Sequence, residues 1–167
     1  DPAQLKRSKL PQPEPLLMRA EQPSPELNRF LYSAVGGDWH WIDRLAWSHA
    51  RWLEYLSRPE VQTWVLYSQG TPAGYVELEL QAEGNVEIAY FGLIGAFLGR
   101  GLGGWLLTRG IEPAWAMGAK RVWVHTCSLD GEHALANYQA RGMHLYKTET
   151  VEKDVGVTPG PWPHARA

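Results

Sequence analysis

The sequence predicts a mixed α/β fold whose central sheet is partly antiparallel and is flanked by helices on both faces. Its 167 residues match the length of one domain, and 44% hydrophobic with 20% charged residues is the composition of a globular protein. Strand-like and helix-like hydrophobic spacings alternate along the chain. One strand, "VEIAYFGLI" at 86–94, is apolar on both faces, as a central strand covered by helices would be.

The first third of the chain predicts one strand and two helices. "LLMRA" at 16–20 is the strand. Ser24 and Pro25 then supply an N-cap and a first-turn proline for a helix that stops at the glycine pair 36–37. A second helix is expected over 41–56. The predicted order therefore begins β-α-α.

The remaining elements follow in a similar alternation. Two strands within 63–80, joined by the turn "QGTPAG", lead into the apolar strand as an antiparallel meander. A helix follows a glycine-rich loop, and Pro113 is expected to kink it. A strand at 120–127, a short helix at 131–141 and a last strand or strand pair at 143–153 complete the order β-α-α-β-β-β-α-β-α-β.

Proline and charge divide the chain into three parts. Residues 1–15 hold four prolines among charged residues and predict a flexible leader. Residues 16–155 form the single folded domain of the prediction. Residues 156–167 are again broken by prolines and predict a tail.

Charge and composition exclude several classes of partner. A net charge of -2 does not provide the clustered cations that nucleic acids require, so no nucleic-acid partner is expected. No apolar run approaches the ~18 residues of a spanning helix, so we expect no membrane partner and a cytoplasmic location. The single cysteine, Cys127, fits a reducing compartment, and the spacing of the histidines predicts no metal site. The chain has nine tryptophans, and exposed ones among them would be able to pair two subunits in a homodimer.

The segment "GLIGAFLGRGLGGWL" at 92–106 places six glycines between the apolar strand and a helix. Glycine is costly in regular structure, so this clustering indicates a tight turn or a close approach of the backbone to another group. The first turn of a helix has free N–H groups that bind anions. The loop is therefore predicted to hold the pyrophosphate of a nucleotide-bearing cofactor.

Two other phosphate-binding motifs fit the chain less well, and a dinucleotide oxidoreductase stays a third alternative that only binding of a nicotinamide cofactor would favour. Residues 99–104 satisfy G-x-G-x-x-G, but a dinucleotide site should open the first βαβ unit and be followed by an acidic residue after the next strand. Here the loop lies past the middle of the chain, and the next strand ends at "HTC". No Lys-Ser or Lys-Thr follows the glycines, which excludes a P-loop.

The spacing resembles that of the GNAT (Gcn5-related N-acetyltransferase) superfamily. Leu93 takes the place of the aliphatic residue at the strand end, and "LGRGLG" at 98–103 takes the place of the glycine motif, with Leu98 where Arg or Gln is usual and Arg100 close by. The resemblance implies acetyl-CoA as co-substrate. The residues implied to bind it are Leu93, Ile94, Leu98, Gly99, Arg100, Gly101, Leu102, Gly103 and Gly104.

Two further stretches carry the resemblance. Glu87 falls where histone-type members have the carboxylate that acts as general base. "HALANYQARGM" resembles the motif A-x-x-x-Y-x-x-x-G-F, with Tyr138 as its tyrosine and Gly131 where an asparagine is frequent. The resemblance covers about residues 16–150 and implies an N-acetyltransferase that acts by direct transfer.

Acetyl transfer to an amine requires a base, an acid and a donor to the thioester oxygen. Glu87, desolvated on an apolar strand, is the candidate base, and its alternative role is a structural carboxylate paired with Arg or Lys. Tyr138 is the candidate acid, and its alternative is a core tyrosine. The backbone N–H near Leu93 or Ile94 would meet the oxygen if the strand is splayed there, and Gly92 is compatible with a bulge at this point.

The acceptor side is indicated by "GGDWHWIDRLAW". Its candidate pocket residues Asp38, Trp39, His40 and Trp41 would bind a cationic or flat amine, and the alternative is an ordinary amphipathic helix. Glu77 and Glu79 alternate with apolar residues and are expected on a solvated face; their alternative role is to draw an amine toward Glu87. His125 is expected to be structural.

Taken together, these residues predict acetyl transfer from acetyl-CoA to a primary amine of a small molecule or peptide. The alternative from another class is a non-catalytic module of the same fold that binds or senses acyl-CoA. Leu98 and Gly131, which depart from the family pattern, favour that alternative.

Overall fold

A computed structural model describes residues 1–37 and 39–152 of the chain. A five-stranded sheet in the order β1-β2-β3-β4-β5 forms its centre; β1 to β4 are antiparallel neighbours and β5 runs parallel to β4. The strands are β1 (Leu16–Arg19), β2 (Val61–Ser68), β3 (Thr71–Leu80), β4 (Asn85–Leu93) and β5 (Arg121–Trp123). The helices are α1 (Pro25–Gly36), α2 (His49–Leu56), α3 (Leu102–Ala116) and α4 (Ala134–Ala140).

Helices α1 and α2 cover one face of the sheet. The Ser24 side chain accepts a hydrogen bond from the Leu27 N–H and caps α1, and Pro25 occupies the first turn, as predicted. Leu31 and Val35 of α1 then pack against Tyr75 of β3. The apolar stripe of α1 thus fixes the helix over the middle of the sheet.

Helix α3 covers the opposite face and builds the larger core. Leu106 and Leu107 are fully buried against Val76 and other apolar residues of β3 and β4. A Cβ on Gly110 would lie 2.9 Å from the Val76 side chain, so a glycine is needed there for α3 to lie this close to the sheet. The predicted mixed sheet with helices on both faces is therefore confirmed.

The second helix is shorter than predicted. It begins at His49 instead of residue 41, because the Ser48 side chain accepts from the Arg51 N–H and forms the N-cap. Residues before Ser48 form turns, with Leu45 N–H donating to Ile42 O at 3.1 Å. The helical spacing of the large side chains in this segment comes from contacts with the sheet and α2.

The strands at the C-terminal end also differ from the prediction. β5 covers three residues instead of the eight at 120–127, because it separates from β4 after Trp123 and has no ladder partner beyond that point. Among residues 143–152 there is no strand, and Leu145, Tyr146 and Val151 are exposed. Their β propensity is not enough to form a strand without a neighbour to pair with. Residue 153 and the predicted tail, 156–167, lie outside the described residues.

Residues 1–15, predicted as a flexible leader, lie along α3 and the end of α4. Lys6 N–H donates to Arg141 O at 3.1 Å, and Ser8 N–H donates to Thr108 Oγ1 at 3.1 Å. Arg7 pairs with Glu112 of α3. The division into leader, domain and tail stays a prediction. No helix among the described residues is long and apolar enough to cross a membrane.

Candidate active site between the two parallel strands

Strands β4 and β5 separate part-way along β4, and we call the space between them beyond that point the cleft. Their last paired residues are Glu87 and Trp123, after which β5 ends while β4 continues to Leu93. On the β5 side, residues 88–93 of β4 have no strand partner within the described chain. Backbone groups of β4 therefore face the cleft instead of a neighbouring strand.

A bulge in β4 determines which backbone groups of this strand face the cleft. Glu77 pairs with Tyr90 and Leu78 pairs with Ile88, so Ala89 is the extra residue. The bulge lies at this position and not at Gly92, where the sequence analysis placed it, because the ladder from Tyr90 to the strand end is regular.

The regular ladder after the bulge corrects one predicted donor. Ile94 N–H donates to Ala73 O at 2.9 Å and is therefore not free to bind a ligand. Donors alternate sides along a strand, so the N–H of the preceding residue, Leu93, points away from β3 toward the cleft. Of the two predicted donors, the geometry leaves Leu93.

The glycine loop joins this cleft to the first turn of α3. Gly99 and Gly101 have φ angles of 74° and 73°, the left-handed conformation that glycine adopts without strain. Gly101 is the N-cap of α3 and provides no side-chain cap, so the N–H groups of the first turn, beginning at Leu102, keep their capacity to bind an anion. Leu98 and Arg100 are exposed, and the Arg100 guanidinium lies 5.2 Å from the centre of the Phe97 ring.

The two glycines inside α3 have different surroundings. A Cβ on Gly103 would lie 3.8 Å from Leu93 and 3.9 Å from Asn137, which is ordinary contact. A Cβ on Gly104 would lie 2.6 Å from the Arg141 guanidinium and 3.1 Å from the Ser8 hydroxyl. The structure thus gives Gly104 a packing reason for being glycine, whereas a side chain at Gly103 would make only ordinary contacts.

Tyr138 of α4 lies on the α3 side of the sheet. It is buried, and its ring centre lies 6.0 Å from that of Phe91 on β4. Burial raises the pKa of the Tyr138 phenol above its ordinary value of 10.0. The hydroxyl therefore stays protonated at neutral pH and is able to donate a hydrogen bond or a proton.

Glu87 lies on the opposite face and is held by two donors. His125 Nδ1 lies 2.7 Å from Glu87 Oε1, and Gln81 Nε2 donates to Glu87 Oε2 at 2.6 Å. Trp123 Nε1 donates to Gln81 Oε1 at 3.1 Å and fixes that amide. The carboxylate is buried as expected, but its partner is a histidine instead of an Arg or Lys.

His125 is the functional candidate that the sequence analysis missed. Its side chain is 68% exposed. The hydrogen bond to Glu87 is the main cause that raises the pKa of His125 above its ordinary value of 6.5. Glu87 lies opposite Trp123 across the parallel ladder, and His125 follows two residues later. Sequence spacing alone does not give this register.

The predicted acceptor residues have separate environments. Trp41 packs into an aromatic cluster, with its ring centre 5.5 Å from Tyr32 and 4.8 Å from Tyr90. The Trp39 ring lies against Gly131, whose Cβ would be 3.2 Å from it. His40 is exposed, with φ of 54°, and Asp38 lies outside the described residues.

The contact between Trp39 and Gly131 explains one departure from the family motif, because a larger residue at 131 would displace the indole ring.

The expectation of a solvated Glu77 is wrong, since this residue is fully buried. Among the described residues, no group of three or more His, Cys, Asp or Glu is arranged to hold a metal ion.

Comparisons with known proteins assign the chain to a family. The profile of the Acetyltransferase (GNAT) family matches residues 25–143, and the chain belongs to that family. None of the curated proteins compared with the chain matches it in sequence.

Solved structures share the fold at low sequence identity. An aminoglycoside acetyltransferase from an uncultured soil metagenomic sample is 17% identical, with 86% of this chain and 99% of that chain covered and a TM-score of 0.65. Another from such a sample, in complex with sisomicin, is 13% identical, with coverages of 81% and 97% and a TM-score of 0.65. A Bacillus subtilis acetyltransferase in complex with CoA is 22% identical, with coverages of 77% and 76% and a TM-score of 0.59.

Proposed function

We propose that this protein transfers an acetyl group from acetyl-CoA to a primary amine by direct transfer. The observation that carries the proposal is the cleft between β4 and β5, which leads from Glu87 and the Leu93 N–H to the glycine loop. Acetyl-CoA requires two kinds of donor. The carbonyl oxygen of the thioester needs a hydrogen-bond donor at one end of the cleft, and the pyrophosphate needs free N–H groups at the other end.

The residues present suit acetyl-CoA, which would supply the activated acetyl thioester. Gly99 and Gly101 are left-handed and form the turn before α3, and the N–H groups of this loop and of the uncapped first turn of α3 would bind one anion. These donors are backbone groups, so the exposed Leu98 in place of Arg or Gln does not remove them. Arg100 adds positive charge at the same loop.

The two proton transfers of the reaction, one from the amine and one to the thiolate, are assigned to opposite faces of the sheet. The attacking amine must lose a proton, and Glu87 provides the negative charge on that side. Both Glu87 oxygens already accept hydrogen bonds, so the carboxylate acts on the amine proton through a bridging group. Tyr138, protonated and on the other face, is placed to donate to the departing thiolate.

Acidic residues near Glu87 favour a cationic acceptor. Glu79 lies directly opposite Glu87 across the antiparallel ladder, and like charges at such positions repel each other. Arg58 Nη1, 2.7 Å from Glu79 Oε1, already offsets part of that repulsion, and an ammonium group beside Glu87 would offset more of it. Some of the solved structures of similar fold are aminoglycoside acetyltransferases, one with sisomicin bound, so sisomicin is a reasonable first probe alongside a lysine peptide. Asp38, Trp39, His40 and Trp41 remain the proposed border of this acceptor side.

A binding or sensing module for acyl-CoA is the second candidate. The exposed, apolar Leu98 favours it, because the usual cationic or amide side chain is missing at the mouth of the loop. Such a protein would bind acetyl-CoA without releasing CoA when amines are added.

The proposal is tested by incubating the protein with acetyl-CoA and a panel of primary amines that includes sisomicin and a lysine peptide. We expect amine-dependent release of free CoA thiol and a product heavier by one acetyl group. Acetyl-CoA binding without any acetylated product would support the binding module. Failure to bind acetyl-CoA would contradict both candidates.

A further inference from the structure

The pair formed by Glu87 and His125 is built asymmetrically. The side chain of Glu87 is 12% exposed and that of His125 is 68% exposed. Both carboxylate oxygens are engaged, one by His125 Nδ1 and the other by Gln81 Nε2. A carboxylate only accepts hydrogen bonds, so the neutral imidazole carries its proton on Nδ1 and leaves Nε2 as an acceptor.

His125 stands where a substrate would meet this pair. It comes two residues after Trp123, the last residue of β5 that pairs with β4, and therefore at the opening of the cleft. The charged groups that act on it are Glu87 of β4, Asp130 of the segment before α4 and Asp43 of the segment before α2. All three are acidic, so its surroundings suit an imidazolium that forms during turnover and also a cationic amine.

We propose that His125 is the catalytic residue that takes the proton of the acceptor amine, and that Glu87 is a positioning residue that acts through it. This inference rests on the proposed acetyl transfer. As the amine nitrogen bonds to the acetyl carbon, its N–H bond breaks and the proton bonds to His125 Nε2. The carbon–sulfur bond breaks and the thiolate sulfur takes a proton from Tyr138. The imidazolium then releases its proton to water, and the Tyr138 phenolate takes one proton back from water, which restores both residues.

The arrangement predicts a definite pH dependence. Only neutral His125 accepts a proton, and Glu87 raises the pKa of the imidazole above 6.5. The rate should therefore rise with pH through a midpoint above that value. Replacing Glu87 with glutamine removes the main cause of the raised pKa, so the midpoint should move to lower pH while the rate falls.

The test compares kcat against pH, with sisomicin as acceptor, in the wild type and in the variants His125→Asn and Glu87→Gln. We expect His125→Asn to lower kcat by ~10²-fold or more and to abolish the rise with pH, with acetyl-CoA affinity unchanged. The control is His133→Asn, because His133 is 90% exposed and pairs with its neighbour Glu132. It should behave as wild type.

Two results would overturn the inference. The first is a His125→Asn variant that keeps the wild-type kcat. The second is a kcat that no longer rises with pH in Glu87→Gln but still rises in His125→Asn. That second result would make Glu87 the direct acceptor of the proton. The failure of the proposed function looks different: wild type itself gives no acetylated sisomicin or other amine product. The role of His125 as proton acceptor would then fall with it, whereas an NMR titration of the imidazole in wild type and Glu87→Gln would still measure the coupling of the pair.

Discussion

Arg44 and Glu77 form a buried ion pair that ties the segment before α2 to the middle of the sheet. Arg44 Nη1 lies 2.8 Å from Glu77 Oε1, and the two residues are 6% and 1% exposed. The rings of Trp47, Tyr55 and Tyr90 lie 4.2 to 4.7 Å from the guanidinium carbon. This segment also carries the proposed acceptor residues, so the pair fixes one wall of the candidate site.

Breaking this pair should destabilise the protein strongly. Arg44→Ala leaves a buried carboxylate at Glu77 without its cation, which costs about 3–5 kcal/mol. Urea unfolding measures the difference. The matched control is Arg58→Ala, because Arg58 is 41% exposed in its pair with Glu79 and should lose at most about 1 kcal/mol. Equal losses in the two variants would contradict the assignment of Arg44 as a buried anchor.

The contact between the leader and α4 gives a second prediction. Gly142 has φ of 91°, and a Cβ there would collide with the backbone oxygen of Gln4. Gly142→Ala should therefore destabilise the protein by about 1–3 kcal/mol and speed proteolysis of residues 1–15. Gly118→Ala is the control, since Gly118 has φ of 85° with open space around it. Unchanged proteolysis in Gly142→Ala would mean that the leader does not depend on this contact.

The role of Tyr138 is tested by removing only its hydroxyl. Tyr138→Phe keeps the ring that packs on Phe91 and should lower kcat by ~10²-fold while leaving acetyl-CoA affinity unchanged. Kinetics with the amine found in the screen, together with calorimetry, measure both quantities. Tyr146→Phe, an exposed position, should change neither. A parallel loss of binding and rate in Tyr138→Phe would identify a structural tyrosine.

The raised pKa of His125 also predicts how stability depends on pH. A group with a higher pKa in the folded state stabilises the protein while it is protonated. The contribution of His125 is therefore complete below its ordinary value of 6.5 and disappears as pH rises through the higher folded value. Urea midpoints between pH 5 and about pH 8 should separate wild type from His125→Asn at the acid end and bring them together at the alkaline end. A constant difference would contradict the Glu87 contact.

Local signals in the sequence predicted much of the fold and one end of the site. Ser24 and Pro25 are sufficient to begin α1, and the glycine cluster is sufficient to indicate a turn before α3. Glu87 and Tyr138 followed from motif spacing, and their roles remain proposals. In each case the information lies within a few neighbouring residues.

The remaining features depend on contacts that spacing does not encode. His125 meets Glu87 through the parallel register of β4 and β5, and the buried Glu77 is paired with Arg44, which reaches it from a distant segment. The bulge at Ala89 is likewise a property of the ladder with β3, and it leaves Leu93 instead of Ile94 as the donor. The early end of β5 has the same origin, since its sequence remains strand-like after the strand has separated.

The most direct test of the account is calorimetric titration of the protein with acetyl-CoA, with NADH titrated in parallel. We predict that acetyl-CoA binds with micromolar affinity and that NADH does not bind. Gly101→Val should weaken acetyl-CoA binding at least about tenfold. That loss corresponds to ~1.4 kcal/mol, which is about the free energy of one hydrogen bond to a charged group. Gly118→Val, with φ of 85° instead of 73° and at the far end of α3, should leave the affinity unchanged. Binding of NADH but not acetyl-CoA, or no binding of either, would contradict the account.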